Sequence, residues 1–324
     1  MIKLPGFIDI GTDIYQGNWR QTTQMAVASG YTTILAQVTP ADELCGEREA
    51  FAEFIHEPMR EALCDAVCLP VLTPLNIRSL EEWVDLVPSA VLDLSILAEV
   101  GSYSQMTLLG RLFRRWPEDK PICVRGDDNQ IGTALFMGQA NGKKVHICAV
   151  STRSQIEMIR EAKASGLRVS CGIHPLSLVL SSSQPQAAKI LKNPGSEDDR
   201  LALWTYKNDI DCFSTDGIHP DREQDRFSIM LPVMSGMLQT GMLTAQDVID
   251  KCCKNPAEIF RIPVDAETWF EMEEPSLSAQ GELQCQINSV TLRGKTVYTA
   301  EERPKAEVPP ENRRIHLKKR ETEE

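Results

Sequence analysis

The chain has 324 residues, 42% hydrophobic and 25% charged, with a net charge of −12 and a pI near 5.0. That balance is ordinary for a globular protein and argues against a nucleic-acid binder, which needs a basic face. No apolar run reaches the roughly 20 residues of a membrane span and no signal peptide precedes Leu4, so neither insertion nor secretion is expected.

In chain order, the first apolar run covers residues 7–11 and is entered through Pro5-Gly6, a turn signal. Further runs follow at 32–38, 66–72, 90–96, 121–125, 144–150, 167–173 and 210–216. Most are rich in Val, Ile, Leu and Cys, which suits parallel strands buried on both faces. Helical spacing fills the intervals at 19–29, 48–63, 79–86, 105–116, 129–140, 152–164, 227–238 and 244–254. Gly30 reads as a helix stop, and Ser79 as a cap followed by Glu81 and Glu82 in the favoured first turn. Strands and helices in this alternation predict an α/β chain, a (β/α)8 TIM-type barrel of about 250 residues or more.

Beyond residue 260 the pattern changes. Residues 284–290 and 291–298 predict a short β appendage with a turn at Arg293-Gly294-Lys295, so the domain is expected to span 1–300, its appendage about 262–300. In 301–324, 14 of 24 residues are charged. With three prolines and almost no apolar residues, that stretch reads as a solvated linker leading to further sequence. The ten cysteines show no C-x-x-C pair; they read as reduced thiols in a cytoplasmic protein.

Five motifs carry a family resemblance. Leu4-Pro5-Gly6-Phe7-Ile8-Asp9-Ile10-Gly11-Thr12-Asp13 resembles the L-P-G-[LF]-I-D-x-H-x-H opening of the dihydroorotases, in the amidohydrolase superfamily. Pro121-Ile122-Cys123-Val124-Arg125-Gly126-Asp127 is similar to their P-I-x-x-H-x-E, and Val145-His146-Ile147-Cys148-Ala149-Val150 to V-H-I-C-H-V. Cys212-Phe213-Ser214-Thr215-Asp216 matches C-F-A-S-D, and Asn255-Pro256-Ala257-Glu258-Ile259-Phe260 matches N-P-x-x-I-F. The resemblance runs from Leu4 to about Tyr298. It implies two zinc ions at the strand ends, held by histidines, a carboxylate and a bridging lysine.

Laid over that pattern, the ligands are missing. Gly11 and Asp13 stand at the paired histidines, Arg125 and Ala149 at the other two, and Leu92 at the bridging lysine, to within one residue. No lysine occurs between Lys3 and Lys120. Asp216 alone keeps its place. Of the substrate contacts, the arginine becomes Tyr15 and the asparagine Thr39. His146 is kept, and strand alternation puts it opposite Ala149, toward the helices. A zinc site needs three or four donors, so no metal or other cofactor and no catalytic residue is expected. Without metal, the mouth's carboxylates need a cation, and Arg125 is expected to pair with Asp216, Asp13 or Asp127, the alternative being that it points to solvent.

The resemblance is to the inactive dihydroorotase-like domains of fungal-type multifunctional proteins. It implies a scaffold or oligomerisation role in pyrimidine synthesis, beside carbamoyl-phosphate synthetase and aspartate transcarbamylase domains of one polypeptide. It allows a homodimer and implies no nucleic-acid or membrane partner. Two other readings stand beside it. One is a single-metal amidohydrolase of altered substrate using Asp13, His174 and Asp216, with Asp127 and His219 as further donors. The other is a pocket that binds a ligand without turnover.

Overall fold

A computed structural model describes residues 1–14, 18–41, 47–56, 60–97, 102–219, 221–222, 226–277 and 283–301. Each expected apolar run overlaps a strand. They are β2 (Phe7–Asp13), β3 (Tyr31–Val38), β4 (Asp65–Pro70), β5 (Ala90–Asp93), β6 (Pro121–Arg125), β7 (Lys144–Ile147), β8 (Val169–Ile173) and β9 (Cys212–Phe213). A short β1 (Ile2–Pro5) precedes them. Strands β2-β3-β4 form one parallel sheet and β5 to β9 another. A parallel bridge between Val71 and Val91 joins β4 to β5, with Leu72 N donating to Val91 O at 2.7 Å.

Alternation along the strands sorts two buried layers. Ile8, Ile10, Leu35, Val67, Leu69, Val91 and Cys123 gather on one face with Phe260. Phe7, Ile34, Ala66, Cys68, Leu92, Ile122 and Val124 pack on the other with helix residues such as Phe51, Trp83 and Phe113. Burying both faces requires apolar residues at nearly every strand position, which is why the runs show no polar alternation.

The last strand returns to the first. Thr215 N donates to Asp9 Oδ1 at 2.8 Å, Thr215 Oγ1 to Asp9 Oδ2 at 2.9 Å, and Thr12 Oγ1 donates to the same oxygen. Asp9 is fully buried. Burial pushes its carboxyl pKa up against the pull of those hydroxyl and amide donors.

The helices depart from expectation in several places. Ser79 makes no capping bond; its hydroxyl donates back to Asn76 O. The expected helix is present as Leu80–Trp83 with a 3-10 turn at Val84–Leu86, and an additional helix, Pro74–Arg78, precedes it, where Thr73 and Asn76 form a reciprocal capping box and Pro74 takes the first turn. A helix at Glu197–Thr205, capped by Ser196, fills the interval before β9, where no helix was expected. The segment 244–254 is a short helix, Ala245–Ile249, running into a π-helical turn, Asp250–Lys254.

The appendage is larger than expected because it recruits the N-terminus. β1 pairs antiparallel with β10 (Trp269–Met272), followed in the sheet by β13 (Ile287–Leu292) and β14 (Lys295–Thr299). A two-stranded hairpin, β11 (Ser276–Leu277) and β12 (Leu283–Gln284), lies between β10 and β13 in sequence. The turn falls at Arg293-Gly294, with φ of +49° and +74°, the doubly left-handed geometry of a tight hairpin. Arg293 also grips Asp65 at the start of β4 with both terminal nitrogens, binding the appendage to the parallel strands. Of the expected linker only Glu301 lies within the described residues.

Candidate functional site

The expected site positions lie at or just past the C-terminal ends of the parallel strands. β6 ends on Arg125, and β9 is followed by Asp216. Arg125 Nε donates to Asp216 Oδ2 at 3.0 Å and Nη2 to Oδ1 at 2.6 Å, a bidentate fork that occupies both carboxylate oxygens. Nη1 lies 3.5 Å from Asp13 Oδ1 at the end of β2. The Asp216 side chain is 7% exposed and that of Arg125 23%. Burial opposes the charged guanidinium, but Asp216 and then Asp13 outweigh it and hold its pKa above the ordinary arginine value. Of the three expected partners, the structure thus gives Arg125 Asp216 and Asp13. Asp127 instead caps the helix Asp128–Asn141, accepting from Gln130 N at 2.9 Å.

Gly11 is more than a missing ligand. A Cβ placed on it would sit 2.4 Å from Asp216 Cβ and 2.8 Å from Asp216 N. No side chain, and so no histidine, fits there while β2 and the segment after β9 keep this approach. Ala149 follows β7 with φ of +50° and faces Gly217, whose own Cβ would stand 3.5 Å from that of Ala149. Thr39 is exposed past the end of β3. Tyr15 lies outside the described residues.

One position is narrowed by the structure and one expectation is corrected. Leu92 does not face the ring of strand-end groups. It packs in the helix-facing layer with Ile122 and Val124. Val91 lies in the other layer, so alternation puts Asp93 at the position facing the mouth, directly beside Arg125 in the ladder. Asp93 Oδ1 accepts from Ser95 N at 3.0 Å and Ser95 Oγ at 2.6 Å.

His146 does not face the helices. Its ring meets Phe260 edge-on at 5.3 Å, and its Nε2 lies 3.4 Å from where a Gly172 Cβ would be, beside Ile10 Cδ1. Both neighbours belong to the layer away from the helices. β7 ends at Ile147 and the left-handed Ala149 breaks the alternation that was extended to it. Burial drives the pKa of His146 down to about 3, and its Nδ1 shares a 2.9 Å hydrogen bond with Ser170 Oγ.

The donors of the single-metal reading do not converge. His174 is buried, with its pKa driven down by burial to about 3. Its Nδ1 accepts from Leu176 N at 3.2 Å, so the neutral ring carries its proton on Nε2, the wrong tautomer for ligation through that nitrogen. His219 Nδ1 accepts from Asp221 N at 3.2 Å. Among the described residues no group of three or more His, Cys, Asp or Glu could hold a metal ion. Zinc therefore does not fit this set. The surviving carboxylate is committed to a guanidinium, and the first-strand position has no room for a ligand.

Missed in the sequence were Asp9, which ties β9 to β2, and Asp93. The signal for Asp93 was a lone acid in an apolar run, Ala90-Val91-Leu92-Asp93-Leu94.

No family model matches the chain. It is 25% identical over 294 residues to the multifunctional protein CAD of Squalus acanthias, covering 84% of this chain and 13% of that protein. It is 25% identical over 374 residues to the dihydroorotase of Aquifex aeolicus, covering 92% of this chain and 86% of that enzyme. Among solved structures, the inactive dihydroorotase-like domain of the Chaetomium thermophilum CAD-like multifunctional protein superposes with a TM-score of 0.80. It is 21% identical, covering 94% of this chain and 98% of that domain. The chain thus has the fold of dihydroorotase-like proteins and spans a small fraction of its multifunctional relative.

Proposed function

We propose that this dihydroorotase-like chain is a catalytically inactive domain of a multifunctional pyrimidine-synthesis protein, retained as a structural and oligomerisation module. The observation that carries the reading is the Arg125 fork on Asp216, with Gly11 closed against the same residue. A permanent cation now does the charge balancing that metal does in an active site of this type. The likeness to a domain described as inactive supports the same reading.

The eight parallel strands form a (β/α)8 TIM-type barrel in this reading. Its support is the bridge joining β4 to β5 and the Asp9–Thr215 bonds drawing β9 to β2. Residues 1–300 are one domain including the appendage at about 262–300, and 301–324 are a charged linker. The partners are carbamoyl-phosphate synthetase and aspartate transcarbamylase domains of the same polypeptide, together with a second copy in a homodimer. The setting is the cytoplasm, which suits the nine free thiols among the described residues. No described helix is long and apolar enough to cross a membrane.

The reading predicts that the purified chain, supplied with zinc, neither closes carbamoyl aspartate nor opens dihydroorotate above the buffer rate, followed by the ultraviolet absorbance of the cyclic product. Turnover that disappears in Asp216→Ala would overturn it.

A further inference from the structure

A second concavity lies at the opposite end of the strands from Arg125. It is a cleft of about 360 Å³ where β6, β7 and β8 begin, closed on one side by the helix Asn255–Phe260. That volume falls in the range of small-molecule sites.

Its charges are unevenly matched. Lys144 and Arg168 line one part. Among the described residues the Lys144 ammonium has no hydrogen-bond or salt-bridge partner, and Arg168 donates from Nη2 only to the carbonyl of Gly142, at 2.7 Å. Arg261 stands close enough to act on Lys144; it is itself paired with Asp119 at 2.6 Å. Burial, then Arg261, then Arg168 push the Lys144 pKa down, more than Asp119 and Glu258 restore it. A half-buried cation with no direct hydrogen-bond or salt-bridge partner among the described residues, and with a second cation lining the same cleft, is stabilised by an anion. Elsewhere in the cleft Asp211 is already held by Lys163 Nζ at 2.8 Å and by Cys171 N at 2.8 Å. Ser170 and Asn255 supply neutral polar groups along the wall.

We infer that this cleft is a binding site for the oxyanion of a small molecule, a phosphate or carboxylate group seated on Lys144 and Arg168. The polar wall of Ser170, Asn255 and Glu258 then faces the rest of the ligand and favours hydrogen-bond donors there. The site is remote from the Arg125–Asp216 pair and stands or falls independently of the function proposed above.

The test uses inorganic phosphate as the probe, with chloride adjusted to hold ionic strength constant. Phosphate should raise the melting temperature of the wild-type chain saturably, and succinate, as a carboxylate probe, should compete. Lys144→Gln and Arg168→Gln should each weaken the apparent affinity about tenfold, the scale of one charge-assisted hydrogen bond. Glu258→Gln, which removes a negative charge from the same cleft, should retain or tighten binding. That last variant separates a charge-specific site from general damage to the fold. A phosphate response equal in the wild type and both cation variants, or no response beyond that to chloride, would overturn the inference.

Discussion

Arg125→Leu should lower the unfolding free energy by about 3–5 kcal/mol, the cost of removing one partner from a buried ion pair. The substitution leaves Asp216, 7% exposed in its side chain, without the guanidinium that meets both of its oxygens. Asp13 adds little to this figure, because its side chain is 47% exposed and solvent screens it. The loss comes chiefly from the stranded carboxylate. The double variant Arg125→Leu with Asp216→Leu should therefore recover most of the stability, since an apolar pair replaces a paired charge at small net cost. Urea unfolding of the four proteins in the cycle measures this directly. An unchanged midpoint in Arg125→Leu would mean that the pair contributes nothing to the fold.

Gly11→Ala should cost about 3 kcal/mol or more, at or above the upper end of ordinary overpacking. One methyl group suffices because the added carbon meets Asp216 at its Cβ, 2.4 Å away, and at its backbone N, 2.8 Å away. Backbone cannot swing aside as a flexible side chain can, so β2 and the segment after β9 must part. The Asp9–Thr215 bonds next to the contact resist that movement. Gly132→Ala is the matched control. It lies in the helix Asp128–Asn141, where an added Cβ meets only Met158 Sδ at an ordinary 3.5 Å. That change should stabilise by up to about 1 kcal/mol through helix propensity. Equal melting temperatures for the two variants would show that the strands have slack at Gly11.

What the sequence made legible, and what it hid, follows from these contacts. Runs such as residues 32–38 and 66–72 announce buried strands because both faces are apolar. That same property conceals which residue faces which layer. In Ala90-Val91-Leu92-Asp93 the three apolar residues do not reveal the faces, so the bridging-lysine position could be placed only to within one residue of Leu92, whereas the structure separates Leu92 from Val91 by layer. His146 was misplaced because alternation was carried through Ala149, whose left-handed backbone ends it. The Arg125–Asp216 pair was foreseeable, since an uncompensated buried carboxylate needs a nearby cation and Arg125 ends the right strand. The closure at Gly11 was not: a glycine reads as an absent ligand, and only the position of Asp216, 205 positions away in sequence, turns it into a steric requirement. The pairing of β1 with β10 was hidden for the same reason, being a contact between residues more than 260 apart.

These residues describe a mouth held by an internal ion pair, which in the proposed function takes the place of metal coordination. The most direct measurement is the zinc content of the chain after equilibration with zinc and dialysis, in the wild type and in Asp216→Ala. The ion-pair account predicts no zinc that depends on Asp216, so the two proteins should match at whatever trace level remains. Stoichiometric zinc retained by the wild type and lost from Asp216→Ala would contradict it.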